Sequence, residues 1–139
     1  MASDALNLER DPFRVPLVLV CAFSETSFRI LQKSLGNRDD LNLRWHSETI
    51  EALADIFMQK PDLLIVFQEK NEDSLAFLQL VRNRQASRNL PVFVIFPQPQ
   101  RFWLRWSRKL NILERFTTPV DHARLLQRTR EVIGLSQPL

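Results

Sequence analysis

The side chains of this sequence that could carry chemistry are few and lie far apart. Cys21 is the one cysteine, so an internal disulfide and a thiolate metal cluster are both excluded. It sits in an apolar run, where a buried structural thiol is expected rather than a nucleophile. His46 and His122 stand in no metal-ligand spacing and are read as structural or surface residues. With two glycines, Gly36 and Gly134, there is no phosphate-cradling glycine loop. No Ser/His/Asp or Cys/His set falls at an expected strand end. An enzyme is therefore the least supported class, with no catalytic residue, cofactor or metal expected. The most unusual stretch is Arg101-Phe102-Trp103-Leu104-Arg105-Trp106-Ser107-Arg108-Lys109, which has four basic residues, three aromatic ones and no acid. On a helix Phe102 and Trp106 share a face at i, i+4, with Trp103 beside them and the basic residues around the remainder. Exposed Trp and Arg are the types enriched at protein interfaces. The same mixture fits phosphate contacts with base stacking. The plainer alternative is that the rings pack on a core and the basic residues are solvated.

The elements that must position these residues follow from hydrophobic period. Leu17 to Ala22, Leu63 to Phe67 and Val92 to Phe96 are continuous apolar runs, the pattern of strands buried on both faces of a parallel sheet. Leu41 to Trp45 and about Ile112 to Phe116 read as weaker strands. Helical stripes lie between: Phe28, Leu31 and Leu35, with Ser24 as cap and Gly36 as stop; Ile50, Leu53, Ala54 and Phe57; Leu75, Leu78 and Val81; a fourth helix near Arg101 to Lys109; and a fifth from about Asp121, burying Leu125, Leu126, Val132 and Ile133. Repeated strand–helix alternation predicts an α/β fold, a five-stranded parallel sheet with helices on both faces. In such sheets ligands bind beyond the carboxyl ends of the strands.

Length suits one domain, and 45% hydrophobic residues exclude wholesale disorder. Residues 1–14 read as a polar arm, 15–135 as the domain and 136–139 as a tail or linker stub. The longest apolar run, Leu17 to Phe23, is seven residues, far below the roughly 18 of a membrane span. The amino terminus shows no signal-peptide pattern, so a cytoplasmic protein without a transmembrane segment is expected. Charge is split: residues 1–78 carry a net −5 and residues 79–139 a net +8. The basic half fits an acidic protein partner, nucleic acid or an anionic membrane surface, or is simply a solvated surface.

Four local patterns, in order, resemble the receiver domain of two-component response regulators. They are Pro61-Asp62-Leu63-Leu64-Ile65-Val66 entering the third strand, Asp73-Ser74-Leu75-Ala76-Phe77-Leu78-Gln79-Leu80-Val81-Arg82 in the third helix, Leu90-Pro91-Val92-Phe93-Val94-Ile95 entering the fourth strand, and Thr118-Pro119-Val120 after the fifth. The resemblance covers about residues 15–135 and implies a flavodoxin-like sheet. It also implies a site where two acids hold Mg²⁺, an Asp takes a phosphoryl group, and a Ser/Thr and a Lys bind its oxygens. Those positions fall here on Phe23 and Ser24, Phe67, Phe96 and Thr118, and none carries the family's residue. Glu25 is one position beyond the acidic pair. Glu69 is two beyond the acceptor, where it would point differently.

The resemblance thus implies a degenerate pseudo-receiver in which Phe23, Phe67 and Phe96 meet and fill the pocket as core. The aromatic residue that usually precedes the Lys strand-end is Arg115, and Thr118-Pro119 is expected to be cis, as in the family. The family's usual output and dimerisation face is the fourth helix, fifth strand and fifth helix. That makes Arg101, Trp103, Arg105, Arg108 and Arg115 candidate partner contacts. The expected function is a phosphorylation-independent signalling or scaffold module binding a protein partner or a second copy of itself. The alternative is a nucleic-acid or membrane-surface binder that uses the same helix.

Overall fold

The computed structural model describes residues 15–36, 40–69, 74–97 and 107–134. Among them strands and helices alternate. The order is β1 Leu17–Cys21, α1 Glu25–Leu35, β2 Asn42–His46, α2 Thr49–Gln59, β3 Leu63–Phe67, α3 Ser74–Asn83, a 3₁₀ turn Gln85–Ser87 and β4 Val92–Phe96. Helical residues 107–109, the described part of α4, then precede β5 Glu114–Thr117 and α5 His122–Val132. The sheet is parallel throughout, as the alternation predicts, and its strand order is β2-β1-β3-β4-β5.

The three continuous apolar runs are the three central strands, and each of their residues is buried. Side chains alternate between faces along a strand. Leu63, Ile65 and Phe67 therefore join Leu31 and Leu35 of α1 and Leu125 of α5. Leu64 and Val66 join Ala52 and Ile56 of α2 and Phe77, Leu78 and Val81 of α3. Cys21 is buried. The edge strands depart from their expected ranges, β2 by one residue and β5 by about two. Both are only partly covered, so polar residues such as Arg44, Glu114 and Arg115 belong to them and blur the apolar signal.

Ser24 caps α1 as its residue type predicts, accepting from the Ser27 amide. Gly36 closes the helix, donating its amide to the Gln32 carbonyl at 2.7 Å. Its φ of −74° is ordinary, so the glycine is required by space: a Cβ there would lie 2.5 Å from the Gln32 oxygen. Phe28 is half-buried and stacks on Trp45, ring centroids 5.0 Å apart. α5 begins after its cap Asp121 and buries Leu125, while Leu126, Val132 and Ile133 are half-buried.

The expected stripe on α2 holds only in part: Leu53 and Phe57 are half-buried and pack against the core, Ile50 and Ala54 face solvent, and the fully buried residues are Ala52, Asp55 and Ile56. The physical reason is a non-local ion pair. Asp55 turns in to meet the Arg44 guanidinium at 3.0 Å and the His46 ring at 2.7 Å, both on β2. A buried carboxylate with two partners outweighs the burial of one more aliphatic side chain.

The amino end of the sheet is tied by Arg82 at the end of α3. Its guanidinium donates to the carbonyls of Leu110 and Leu90 at 2.7 Å and of Arg88 at 2.8 Å. Ser87 and Asn111 carbonyls lie further off, at 3.4 and 3.3 Å. One side chain thus fixes the segments leading into β4 and β5. Burial pushes the guanidinium pKa down from its ordinary value.

Candidate functional site

At the carboxyl end, β1 runs out through Ala22, whose amide donates to the His46 carbonyl at 3.1 Å and whose carbonyl accepts the Trp45 indole N–H at 2.7 Å. The chain then turns through Phe23 and Ser24 into α1. β3 runs out through Gln68, whose amide donates to the Ile95 carbonyl at 2.8 Å, and reaches Glu69. The Glu69 side chain crosses to the amino end of α1. One carboxylate oxygen accepts the Ser24 amide at 3.1 Å, and the other accepts the Ser24 and Ser27 hydroxyls, each at 2.6 Å. The proton accounting closes: the Ser24 hydroxyl accepts from the Ser27 amide at 3.2 Å and donates its own hydrogen to Glu69. The anion lies where the unpaired amides and the dipole of α1 favour negative charge.

β4 ends at Phe96, whose carbonyl accepts the Thr118 amide at 2.9 Å; the Thr118 hydroxyl donates to the Pro97 carbonyl at 3.1 Å. The Thr118–Pro119 peptide is cis, as the resemblance implies.

The expected meeting of three phenylalanines does not occur. Phe23 is 64% exposed, while Phe67 and Phe96 are buried in the two separate cores on opposite faces of the sheet. Register explains the separation. Phe67 pairs with Ile95, so Phe96 is one step out of phase and points the other way. Phe23 lies beyond the last paired residue of β1 and is released from the pleat altogether. Polar contacts, rather than a phenylalanine cluster, occupy the space over β1 and β3. By sequence alone Glu69 falls two residues past the strand end, where it is not expected to face the site. The available signal was the pair of serines, Ser24 and Ser27, facing it from the first helix.

The remaining site residues are divided. Arg101, Trp103 and Arg105 lie outside the described residues. Arg108 and Arg115 are exposed, and they line one shallow open depression of about 460 Å³ together with Asn111 and Leu113. Neighbouring basic residues are engaged within the fold: Arg124 and Arg128 reach Glu114 at 3.4 and 3.0 Å, and Arg124 lies over the Phe116 ring. The Arg128 guanidinium is held above its ordinary pKa, chiefly by its hydrogen bond to Glu131 and then by Glu114. Both histidines have partners within the fold, His46 on Asp55 and His122 through Nδ1 on the Ser34 hydroxyl. Among the described residues no three His, Cys, Asp or Glu side chains converge as a metal site, and no helix is long and apolar enough to cross a membrane.

Neither the family models nor the curated proteins give a match to this sequence. Solved structures do. A response regulator from Thermotoga maritima superposes with a TM-score of 0.74 at 23% identity, covering 87% of this chain and 99% of the other. The fold is that of response-regulator receivers. A receiver protein from Pseudomonas putida gives 0.75 at 20% identity over 85% and 98% of the two chains. The chemotaxis protein CheY4 of Vibrio cholerae gives 0.75 at 15% identity over 86% and 99%. The receiver-like fold thus extends from β1 to α5, and the carboxyl-end geometry described above is set on that scaffold.

Proposed function

We propose that this chain is a pseudo-receiver: a signalling or scaffold module that works without phosphoryl transfer and binds a protein partner through α4, β5 and α5. The observation that carries the reading is the commitment of Glu69. Among the described residues Glu69 is the carboxylate next in sequence after the receiver acceptor position; it is engaged by Ser24 and Ser27, and the positions that match the acceptor and the hydroxyl are the buried Phe67 and Phe96. A phosphoryl dianion placed there without a metal or a Lys would cost several kcal/mol, on the order of a buried unpaired charge. Support for the binding face comes from Arg108 and Arg115, both exposed, which line one depression and form no ion pair among the described residues. Arg101, Trp103 and Arg105 complete the set of contacts by their place in the sequence.

The test of the first half is incubation with acetyl phosphate and Mg²⁺ followed by intact mass. The unmodified mass is expected. A stoichiometric phosphoryl adduct, lost on substitution of a strand-end carboxylate such as Glu69→Ala, overturns the reading. A mobility shift with a short duplex DNA assigns the basic face to nucleic acid instead, provided it weakens tenfold or more over a modest rise in salt, an order expected when several phosphates are contacted.

A further inference from the structure

We propose that the outward faces of α2 and α3 form a self-association surface, on which a second copy of this chain docks with its α2 antiparallel. This surface is separate from α4, β5 and α5 and independent of the function proposed for that face. α2 is inverted in character. Asp55 is buried against Arg44 and His46, while Glu51 lies 3.8 Å from the His46 ring and stays exposed near the amino end of the helix. The outward line is left to Ile50, Ala54 and Met58, spaced i, i+4, i+8, with Ile50 and Met58 each 78% exposed. Ala52 and Ile56 are buried on the inner side. A helix that is apolar inside and out is normally enclosed on both sides. α3, on the same face of the sheet, continues the pattern, with Ala76 and Leu80 outward at i, i+4. Single exposed apolar residues need no explanation, but five on the outer lines of two helices in one layer mark a contact surface.

Symmetry and charge identify the occupant. Ala54 is the centre of α2: Ile50 and Met58 flank it equally, and so do the two caps, Glu48 and Lys60. A twofold axis through Ala54 sets Ile50 against Met58 of the second copy, and the small central residue lets the backbones approach. This is the self-complementary pattern of a closed dimer. Glu48 and Glu51 make the amino end of the helix negative. Lys60, together with Arg84 held 5.3 Å from the Phe57 ring centroid, makes the carboxyl end positive. Antiparallel docking opposes unlike charges at both ends, while a partner helix of one uniform charge is repelled at one of them.

Sedimentation equilibrium of the full chain tests this. A reversible dimer is expected, and Met58→Glu, an exposed site, should weaken it at least tenfold while leaving the circular dichroism unchanged. Two further variants follow from the charge argument. Glu48→Lys with Glu51→Lys makes both ends positive, and Lys60→Glu with Arg84→Glu makes both ends negative. Each should be monomeric alone, and the two should associate one-to-one when mixed. Standard-sized interfaces bind in the micromolar range or tighter, so a parent that remains monomeric at roughly 100 μM overturns the proposal. A dimer that survives Met58→Glu but dissolves on Arg108→Glu with Arg115→Glu belongs to the other face, and that result also overturns it. Failure of the mixed variants to associate overturns the antiparallel arrangement.

Discussion

At the amino end of the sheet a cation, Arg82, donates to backbone carbonyls on the approaches to β4 and β5; at the carboxyl end an anion, Glu69, accepts from an amide and two hydroxyls at the start of α1. Neither is answered by an opposite charge in these contacts. Each is solvated by dipoles that the fold must in any case satisfy: loop carbonyls in one case, a helix terminus in the other. The difference lies in what they join. Arg82 binds segments that follow it in the chain, so its removal loosens loops. Glu69 binds β3 to α1 across β1, at the carboxyl ends of the strands. The lesson is that one end of this fold is a structural joint, and that its other end, with the Glu69 contacts in place, has the same character.

Three sets of variants sharpen or break this comparison. The largest effect is expected from the core beneath the carboxyl end. Phe67→Ala should cost about 3–5 kcal/mol in urea melts, as large-to-small changes in a packed core do. Phe23→Ala, one strand away at an exposed position, should stay within about 0.5 kcal/mol. Equal costs would mean that the two rings share an environment, contrary to the separation found here. Next is Arg82→Met, which keeps the aliphatic stem but strands several carbonyls. A loss of about 2 kcal/mol is expected, since some of those carbonyls remain within reach of water. Arg82→Lys should recover only part of it, because an ammonium cannot span both loops. The smallest is Glu69→Ala, with an expected loss of about 1 kcal/mol, the scale of a helix cap. Hydrogen exchange should localise that loss to the first turn of α1. If Glu69→Ala destabilised the chain as much as Arg82→Met while leaving the α1 amides protected, the two ends would not be comparable joints.

How far the sequence reveals this molecule depends on whether the deciding interaction is local. β3 and β4 are legible residue for residue because a run of apolar side chains between prolines and polar residues admits no other register. The caps Ser24 and Asp121 are legible because a cap acts within three residues of itself. The α2 stripe is not. Ile50, Leu53, Ala54 and Phe57 fit the helical period as well as Ala52 and Ile56 do, and the choice is made by Arg44 and His46 on another element. The phenylalanine positions mislead for a related reason. Matching by sequence puts three rings at three strand ends, but it does not carry the phase of the pleat between β3 and β4. Arg82 gave no sign of its role, since its partners are main-chain carbonyls that any sequence supplies.

The strand order has a consequence for how the chain is made. Among the described strands β1 is the first to leave the ribosome, yet it ends as an inner strand, flanked by β2 and β3. Val18 to Cys21 have strand neighbours on both sides only after Val66 has been synthesised. Until then the nascent chain carries an apolar ribbon with one unpaired edge, the kind of surface on which chaperones act. Pairing with β2 comes first and covers one side. β3 must then insert along the other rather than add to a finished hairpin. One of the three fully buried strands is thus also the one that waits longest for its full enclosure.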